Sequence, residues 1–240
     1  MRTLVVLPTY NEIANVEKML RALRSVVPFC DVLVVDDGSP DGTADAAEAV
    51  GRELGQIFTL RRSGKGGLGS AYRAGFTWGL EAGYEACVEI DCDFSHDPRV
   101  LPEMLALAHE YEVVIGSRYV PGGAIPSWST SRLLLSKGGN RYASIMLGLR
   151  VADSTAGYRV YTRTALEKID YTTVRADGYG FQIEMTYRAR AGGATIIEFP
   201  ISFTDRTEGE SKMSRSIVTE ALWMVTKWGV ARALGRSPRS

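Results

Sequence analysis

The chain has 240 residues, 45% hydrophobic and 23% charged, a composition typical of one sizeable globular core or two small domains. Its 28 Lys and Arg residues equal its 28 Asp and Glu residues, so the net charge gives no reason to expect nucleic acid. Three cysteines without a C-x-x-C spacing argue against a zinc knuckle or a disulfide framework and predict a reduced, intracellular protein. No apolar run reaches the roughly 18 residues that span a bilayer, so we expect a soluble or peripheral protein.

Apolar runs and amphipathic segments alternate through the first half of the chain. Strands are predicted at 3–8, 31–36, 56–62, 86–91 and 113–119, and helices at 11–26, 43–55, 70–83 and 98–110. The strands are apolar on both faces and separated by helices, which is typical of βαβ crossovers. We therefore predict an α/β fold with a mostly parallel sheet and helices on both faces.

The second half of the chain is less regular. Its predicted elements are a helical stretch within 122–140 that continues through RYASIMLG, a strand at 194–203 broken by Pro200, a polar loop at 205–214 and an amphipathic helix at 217–235. These elements suggest a main domain over residues 1–215, followed over residues 216–240 by a C-terminal amphipathic helix and a basic tail.

Polar residues collect where the predicted parallel strands end, and such sheets bind ligands outside the carboxyl ends of their strands. The segment VEIDCDFSH (88–96) places Asp91 and Asp93 at one strand end. Strand alternation would turn these two side chains to one side and Cys92 to the other. Carboxylate oxygens suit Mg²⁺ or Mn²⁺. The alternative is that one aspartate caps the helix that starts near Asp97 while the other is solvated.

A second acidic pair, Asp36 and Asp37, ends another strand and opens into a Gly-Ser-Pro-Asp-Gly turn. Ordinary turn chemistry is the alternative explanation for this pair. Four carboxylates near one edge of a sheet repel each other unless cations offset them. The candidate cations lie in turn-rich segments and are Lys65, Arg118, Arg132, Arg159, Arg206 and Lys212. Each alone is usually a surface charge, but together they favour a polyanion bound beside a metal.

The segment GKGGLG (64–69) matches G-x-G-x-x-G, follows a predicted strand and opens a helix, as a dinucleotide-binding loop does. However, it follows the third strand rather than the first, and a pair of acidic residues ends the next strand instead of a single one. We therefore favour direct phosphate contact through Lys65 over a dinucleotide site. His96 is expected to pack near the Asp97-Pro98 turn rather than to bind the metal.

Seven segments, in this order and spacing, resemble the family 2 inverting glycosyltransferases, and within them the dolichol-phosphate (polyprenol-phosphate) mannosyltransferases. They are PTYNE, VVDDGSPDG, GKGGLGSAYRAG, DCDFSHDP, GSRYVPGG, DSTAGYRVY and DRTEGESK. The resemblance covers about residues 3–213 and implies a glycosyltransferase-A catalytic domain over 1–215. It also implies GDP-mannose as donor, a polyprenyl (dolichyl) phosphate as acceptor, Mg²⁺ or Mn²⁺ as cofactor, and a separate membrane-anchoring protein as a candidate partner.

The resemblance assigns roles to individual positions of this sequence. The implied nucleotide-binding residues are Pro8, Tyr10, Glu12, Val35, Asp37 and Lys65. The implied metal ligands are Asp91, Asp93 and Ser95, with Cys92 and Phe94 among the donor contacts. The implied catalytic residues are Asp93, Arg118 and Arg206. Lys212 is a further phosphate cation, and the acceptor phosphate is expected at Arg132 and Ser136. Cys92 departs from the commoner alanine, which should alter only backbone contacts.

Several alternatives remain at this point. A lipid monophosphate is already ionised near pH 7, because its second pKa is about 6, so an inverting transfer to it needs no strong general base. A related enzyme could instead use a UDP-sugar to make a glucosyl or N-acetylhexosaminyl lipid or a polysaccharide, and a nucleotide-binding sensor would need no acceptor site. The helix at 217–235, with Trp223, Trp228 and Arg232, either docks on the cytoplasmic face of a membrane or packs as core.

Overall fold

The computed structural model describes residues 1–205 and 215–235, with side chains in the second range from residue 221 onward. Over these residues, strands and helices follow one another in chain order. They are β1 (Thr3–Thr9), α1 (Val16–Val26), β2 (Asp31–Asp36), α2 (Thr43–Leu54), β3 (Ile57–Arg61), α3 (Leu68–Glu81), β4 (Ala86–Glu89), α4 (Leu101–Leu107), β5 (Val113–Ser117), α5 (Thr130–Leu147), β6 (Arg159–Thr162), α6 (Arg163–Ile169), α7 (Gly178–Ala191), β7 (Ile196–Pro200) and α8 (Arg215–Ala233).

The strands form one sheet in the order β3-β2-β1-β4-β6-β5-β7. Neighbouring strands are parallel except at β6, which runs antiparallel to both β4 and β5. The predicted mostly parallel sheet is therefore confirmed, and β6 is the strand that the sequence patterns did not predict. Its four residues, RVYT, begin with a charged side chain, which is not typical of a buried strand.

Helices cover both faces of the sheet. Successive side chains of a strand point to opposite faces, and here both faces are apolar and must be buried. Leu4 and Val6 of β1 belong to one buried cluster, which includes side chains of α3, α5, α6 and α7. Val5 and Leu7 belong to the other, which includes side chains of α1, α2 and α4. All four side chains are fully buried.

Helix α1 begins at Val16, five residues later than the predicted start at residue 11. Asn11 has a positive φ of 58°, and the Glu12 carbonyl accepts hydrogen bonds from the N–H groups of Asn15 and Val16 in a tight turn. The polar segment after β1 is thus free of the helix and lies at the carboxyl end of the sheet, where the site is expected.

Helix α8 packs on α5 and α7 rather than directly on the sheet. The approach is close because glycines lie at the crossings, where a Cβ at Gly180 would overlap Met224 and one at Gly229 would overlap Met146. Val225 is buried in the core, while Trp223 is 64% exposed. The helix therefore has one packed face and one exposed face. No helix in the described ranges is long and apolar enough to cross a membrane.

Candidate active site

Asp36 holds together the two loops that follow β1 and β2. Thr9 Oγ1 and Ser39 Oγ donate to its Oδ2 at 2.9 and 2.6 Å, and the Ser39 N–H donates to its Oδ1 at 2.9 Å. Its side chain is buried. With its oxygens occupied by these groups, Asp36 is a structural member of the acidic pair, as the turn-chemistry explanation proposed.

Asp37 contacts the segment that follows β3, residues 64–67, called here the glycine loop. Arg62 Nη1 donates to Asp37 Oδ1 at 2.6 Å, and the Gly66 N–H donates to Oδ2 at 2.9 Å. Within the glycine loop, the ammonium of Lys65 lies 4.6 Å from the centre of the Tyr10 ring. The structure thus brings Tyr10, Asp37 and Lys65 together at the carboxyl end of the sheet.

The other predicted nucleotide contacts divide between the surface and the core. The backbone N–H of Glu12 donates to Thr43 Oγ1, and its carboxylate accepts from Asn15 Nδ2, each at 2.9 Å. Pro8 is half-buried in β1. Val35 is fully buried and packs toward α3 beside Gly75, so its side chain does not reach a ligand at this edge. The side chain of Val35 is therefore part of the core, and its predicted contact with the nucleotide stays a prediction.

The acidic pair after β4 lies at the same edge. Tyr72 Oη donates to Asp91 Oδ1 at 3.3 Å, and the Ser95 N–H donates to Asp93 Oδ1 at 3.0 Å. Burial, followed by the charge of Asp91, raises the pKa of Tyr72 well above its usual value, so this hydroxyl stays protonated and donates. Cys92 is buried in the core, and Phe94 packs against the same core cluster. Because β4 ends at Glu89, strand alternation does not extend to these residues.

The residues around Asp91 fit a divalent cation. Asp91, Asp93 and Ser95 offer hard oxygen atoms of the kind that Mg²⁺ and Mn²⁺ prefer. Gly157 leaves space beside Asp91, since a Cβ at Gly157 would lie 3.8 Å from Asp91 Oδ2. Residues 1–205 and 215–235 contain no group of three or more His, Cys, Asp or Glu that could hold a metal. A Mg²⁺ site needs only one or two carboxylates from the protein, because substrate phosphates and water supply the other ligands. Asp91 and Asp93 are sufficient for a site of this kind.

Arg159 does not belong to the edge where we expected it. It is fully buried in β6, where Nε donates to the carbonyl of Ala156 and Nη2 to the carbonyl of Ser154, each at 2.8 Å. Its charge also lies near Glu89, the buried residue two positions before Asp91. Backbone carbonyls satisfy this guanidinium internally, so Arg159 supports the strands beneath the site and does not contact a ligand.

His96 packs as expected and carries no charge at neutral pH. Its ring lies 5.3 Å from that of Tyr158 and 5.4 Å from that of Phe203. Burial, with a smaller contribution from Arg118, lowers the pKa of His96 to about 4. His96 also connects two parts of the site. Its Nε2 lies near Gly157 beside Asp91, and the ring of Phe203 contacts both His96 and the Arg118 guanidinium.

Arg118 follows β5 and forms a buried two-pronged ion pair with Asp153. Arg118 Nε donates to Oδ2 and Nη2 donates to Oδ1, both at 2.7 Å, and Nη2 also donates to Thr155 Oγ1 at 2.8 Å. Burial raises the pKa of Asp153, but the charge and hydrogen bonds of Arg118 outweigh it and hold that pKa below its usual range. The guanidinium is therefore oriented before any ligand binds.

A groove opens beside Arg118, between α5, α7 and α8. Its polar end is lined by Arg118, Arg132, Ser136 and Thr155. Its apolar walls are Leu135, Ile183, Leu222 and Val225. Arg132 stacks on Trp128 with its guanidinium carbon 3.9 Å from the ring centre, and Tyr119 Oη donates to Ser136 Oγ at 2.6 Å. The groove therefore has basic side chains at one end and apolar side chains along its walls.

Two of the predicted phosphate cations, Arg206 and Lys212, lie outside the described residues. The structure adds site residues that the sequence patterns missed, namely Asp153, Thr155, Trp128 and Tyr179. Asp153 and Thr155 belong to the segment DSTAGYRVY, which the sequence comparison with the family included. The pairing of Asp153 with Arg118 could not be predicted, because the two residues are 35 positions apart in the chain.

Comparisons with known proteins give consistent results. The model of the glycosyl transferase family 2 domain matches residues 4–170. An undecaprenyl-phosphate mannosyltransferase of Micrococcus luteus is 51% identical over 231 residues, which are 96% of this chain and 95% of that protein. A polyprenol monophosphomannose synthase of Mycolicibacterium smegmatis is 46% identical over 238 residues, covering 98% of this chain and 90% of that protein.

Solved structures with a similar fold are more distant in sequence. Glucosyl-3-phosphoglycerate synthase from Mycobacterium tuberculosis, solved with Mn²⁺ and UDP-glucose, gives a TM-score of 0.63 at 19% identity over 98% of this chain and 78% of that one. A mannosyltransferase from Pyrobaculum calidifontis, solved with GDP-mannose and Mn²⁺, gives 0.62 at 19% identity over 98% of this chain and 65% of that one. At these identities the likeness concerns the fold alone.

Proposed function

The chain belongs to glycosyl transferase family 2, and we propose that it transfers mannose from GDP-mannose to a polyprenyl (dolichyl) monophosphate with inversion. The observation that carries this proposal is the groove, whose cationic end meets apolar walls. A phosphate joined to a long hydrocarbon chain has the matching chemistry. The two relatives described above are named for mannosyl transfer to such a lipid phosphate, which supports the same assignment.

The acceptor phosphate is placed at Arg132 and Ser136. Arg132 lies at the polar end of the groove, with its guanidinium on the Trp128 ring and an ion pair to Asp205 at 3.3 Å. Since Tyr119 donates to the oxygen of Ser136, the hydroxyl hydrogen of Ser136 remains able to donate to a phosphate oxygen. Guanidinium and hydroxyl donors of this kind suit phosphate oxygens.

The donor nucleotide is placed at Tyr10, Glu12, Asp37 and Lys65, at the carboxyl ends of β1 to β3. Ligands of open α/β sheets bind at this edge. The two relatives named for mannosyl transfer favour a mannosyl donor, for which GDP-mannose is the proposed form, and one protein of the same fold was solved with that nucleotide sugar. The competing donor is a UDP-sugar, which would make a glucosyl or N-acetylhexosaminyl lipid instead.

Asp91, Asp93 and Ser95 would hold the divalent cation, Mg²⁺ or Mn²⁺. When bound, the cation neutralises charge that develops on the leaving diphosphate. Arg118, adjoining the cation site through His96 and Phe203, would offer its guanidinium N–H groups to a phosphate on the acceptor side, while Asp153 keeps it oriented and compensates its charge. Arg206 and Lys212 remain proposed phosphate cations.

The acceptor supplies its own ionised oxygen, so the chain needs no strong base to remove a proton. The second pKa of a phosphate monoester is about 6, which leaves mostly the dianion at neutral pH. His96 is buried and neutral and is not required for proton transfer. What the protein must do is hold the phosphate oxygen opposite the diphosphate, because attack from that side inverts the anomeric carbon.

We also propose that the exposed faces of α5 and α8 contact the cytoplasmic face of a membrane. The large exposed apolar side chains described on these two helices are Leu134, Leu135, Ile145, Leu222, Trp223 and Val230, and Leu234 follows directly after α8. Lys227 lies against the Trp223 ring, at 5.3 Å from its centre. A mixed apolar and basic surface is typical of helices at a membrane interface. Residues 1–215 would then carry the chemistry, and residues 216–240 would serve the membrane contact together with the exposed face of α5.

Transfer of radiolabel from GDP-mannose to a polyprenyl phosphate, with Mg²⁺, Mn²⁺ or a chelator, tests the function directly. We expect a labelled lipid only with a divalent cation, and its loss in Asp91→Ala with the folded structure retained. Asp97→Asn is the matched control, since Asp97 is in the same segment but forms an exposed ion pair with Arg99. A labelled lipid from UDP-glucose or UDP-N-acetylglucosamine, with none from GDP-mannose, would establish the competing donor.

Flotation with anionic vesicles tests the membrane contact. A truncated chain is unsuitable, because Val225 of α8 is part of the core. Trp223→Glu changes an exposed side chain instead, and we expect it to reduce the floating fraction while leaving the melting temperature unchanged. Equal flotation of the variant and the parent chain would contradict the proposed surface.

A further inference from the structure

The glycine loop and the first turn of α3 pack tightly against other parts of the chain. A Cβ at Gly66 would overlap the guanidinium of Arg62, and one at Gly67 would overlap the carboxylate of Asp177. A Cβ at Gly69 would lie 2.8 Å from Phe181 Cδ2 and 3.0 Å from the carbonyl of Ala176. Three of the four glycines of GKGGLG thus have close neighbours, and those of Gly67 and Gly69 lie at the start of α7; a Cβ at Gly64 would meet no atom within 4 Å.

Asp177 provides the cap that helix α3 lacks. The N-cap position of α3 is Gly67, which has φ of +87° and no side chain to accept a hydrogen bond. Asp177 Oδ1 accepts from the N–H of Gly69, the second residue of α3, at 2.7 Å. A side chain at the N-cap normally accepts from this position or the next. A carboxylate there also interacts favourably with the helix dipole.

The same carboxylate caps α7, whose N-cap residue is Asp177 itself. Its Oδ1 also accepts from the N–H of Gly178, at 2.9 Å. One side chain therefore joins the beginnings of two helices that are more than 100 positions apart in the chain. Two carboxylates therefore hold the junction between the glycine loop and α3, Asp37 through the N–H of Gly66 and Asp177 beside Gly67 and through the N–H of Gly69.

We propose that Asp177 is a positioning residue for the sugar nucleotide. By fixing the glycine loop, it holds Lys65 beside Tyr10, where the donor is placed. The inference rests on the proposed function in naming the donor, whereas the contact between Asp177 and the glycine loop is a property of the protein without ligand. Asp177 does not touch the donor, and it acts through Lys65.

The kinetic test separates positioning from general structural damage. In Asp177→Ala we expect the KM for the donor to rise roughly tenfold, the magnitude of a lost hydrogen bond to a charged group. Asp177→Asn keeps an acceptor oxygen for the Gly69 N–H and should restore most of the donor affinity. The KM for the acceptor should stay unchanged in both, and Glu53→Ala, in an exposed ion pair with Arg21, is the matched control.

The acceptor KM is informative because Tyr179, two residues after Asp177, lines the groove. Unravelling the start of α7 would disturb both substrates. Equal rises in the two KM values, or an unchanged donor KM in Asp177→Ala, would overturn the positioning role.

Amide hydrogen exchange without any substrate provides the independent measurement. The Gly69 N–H should exchange at least roughly tenfold faster in Asp177→Ala than in the parent chain and in Glu53→Ala. Unchanged exchange would overturn the proposal, whatever the activity. If the parent chain shows no transfer from GDP-mannose, the proposed function fails separately. The positioning role is then decided by calorimetric measurement of GDP and UDP binding. We expect weaker binding by Asp177→Ala than by the parent chain, and equal binding by these two proteins overturns the role.

Discussion

Replacing Asp153 by alanine should destabilise the protein strongly. The side chains of Asp153 and Arg118 are 0% and 5% exposed and form a two-pronged ion pair. In addition, the backbone N–H of Arg118 donates to Asp153 Oδ2 at 3.1 Å. Removing one partner of a buried pair leaves an uncompensated charge and costs about 3–5 kcal/mol. In a chain of this length that corresponds to a melting temperature about 6–20 °C lower.

Urea unfolding at pH 7 measures this loss, and Glu53→Ala is the comparison. Glu53 also receives two hydrogen bonds from one guanidinium, that of Arg21, but this pair is exposed. We expect only a small loss there, because exposed pairs are screened by water. If Asp153→Ala costs no more than Glu53→Ala, burial is not what gives the pair its importance and the reasoning is refuted.

The double variant Arg118→Met/Asp153→Leu tests the same reasoning from the other direction. Replacing both members of a buried pair with apolar side chains removes the charge that a single substitution leaves behind, so much of the stability should return. The pH dependence has a defined sign. Because the pKa of Asp153 lies below its usual value in the folded protein, its stabilising contribution is present at neutral pH and is lost as the pH falls through the acidic range.

Three further outcomes follow from individual contacts. Burial raises the pKa of Glu89 from an ordinary 4.5 to about 8. In chelator-treated protein, the free energy of unfolding should therefore fall as the pH rises from 4.5 to 8, because the unfolded chain loses this proton first. Glu89→Gln should flatten that pH dependence. Gly69→Ala should cost about 1–3 kcal/mol in urea unfolding, because the new methyl group meets Phe181; unchanged stability would contradict the packing. Arg132→Ala should raise the acceptor KM and leave the donor KM unchanged, whereas Arg141→Ala, an exposed change on the same helix, should alter neither.

The fold could be predicted from the sequence because its main signal is local. Strands buried on both faces produce apolar runs, and five such runs separated by helical patterns indicate a covered parallel sheet. The predicted glycosyltransferase-A α/β fold is confirmed by the strand order and by the solved structures that share it. Strand β6 escaped prediction because its stability comes from its two neighbours, β4 and β5, and not from its own four residues.

The site was only partly predictable, because polarity in a sequence does not reveal which partner a side chain has. Arg159 and Arg118 look alike along the chain, yet backbone carbonyls satisfy the first inside β6 while Asp153 orients the second beside the groove. Val35 was assigned to the nucleotide from the resemblance alone, and its burial follows from the apolar run of β2. The groove was invisible because three helices from separate regions form it.

The occupied start of α3 also argues against a dinucleotide site at the G-x-G-x-x-G match. In that motif, the exposed N–H groups and positive dipole of the helix bind a pyrophosphate. Here the carboxylate of Asp177 already accepts from Gly69 and lies against Gly67, so a phosphate would meet a negative charge at the position that the motif normally reserves for it. The cation left for a phosphate in this loop is Lys65, which lies beside Tyr10. The donor diphosphate is therefore expected between Lys65 and the Asp91–Asp93 pair, away from the start of α3.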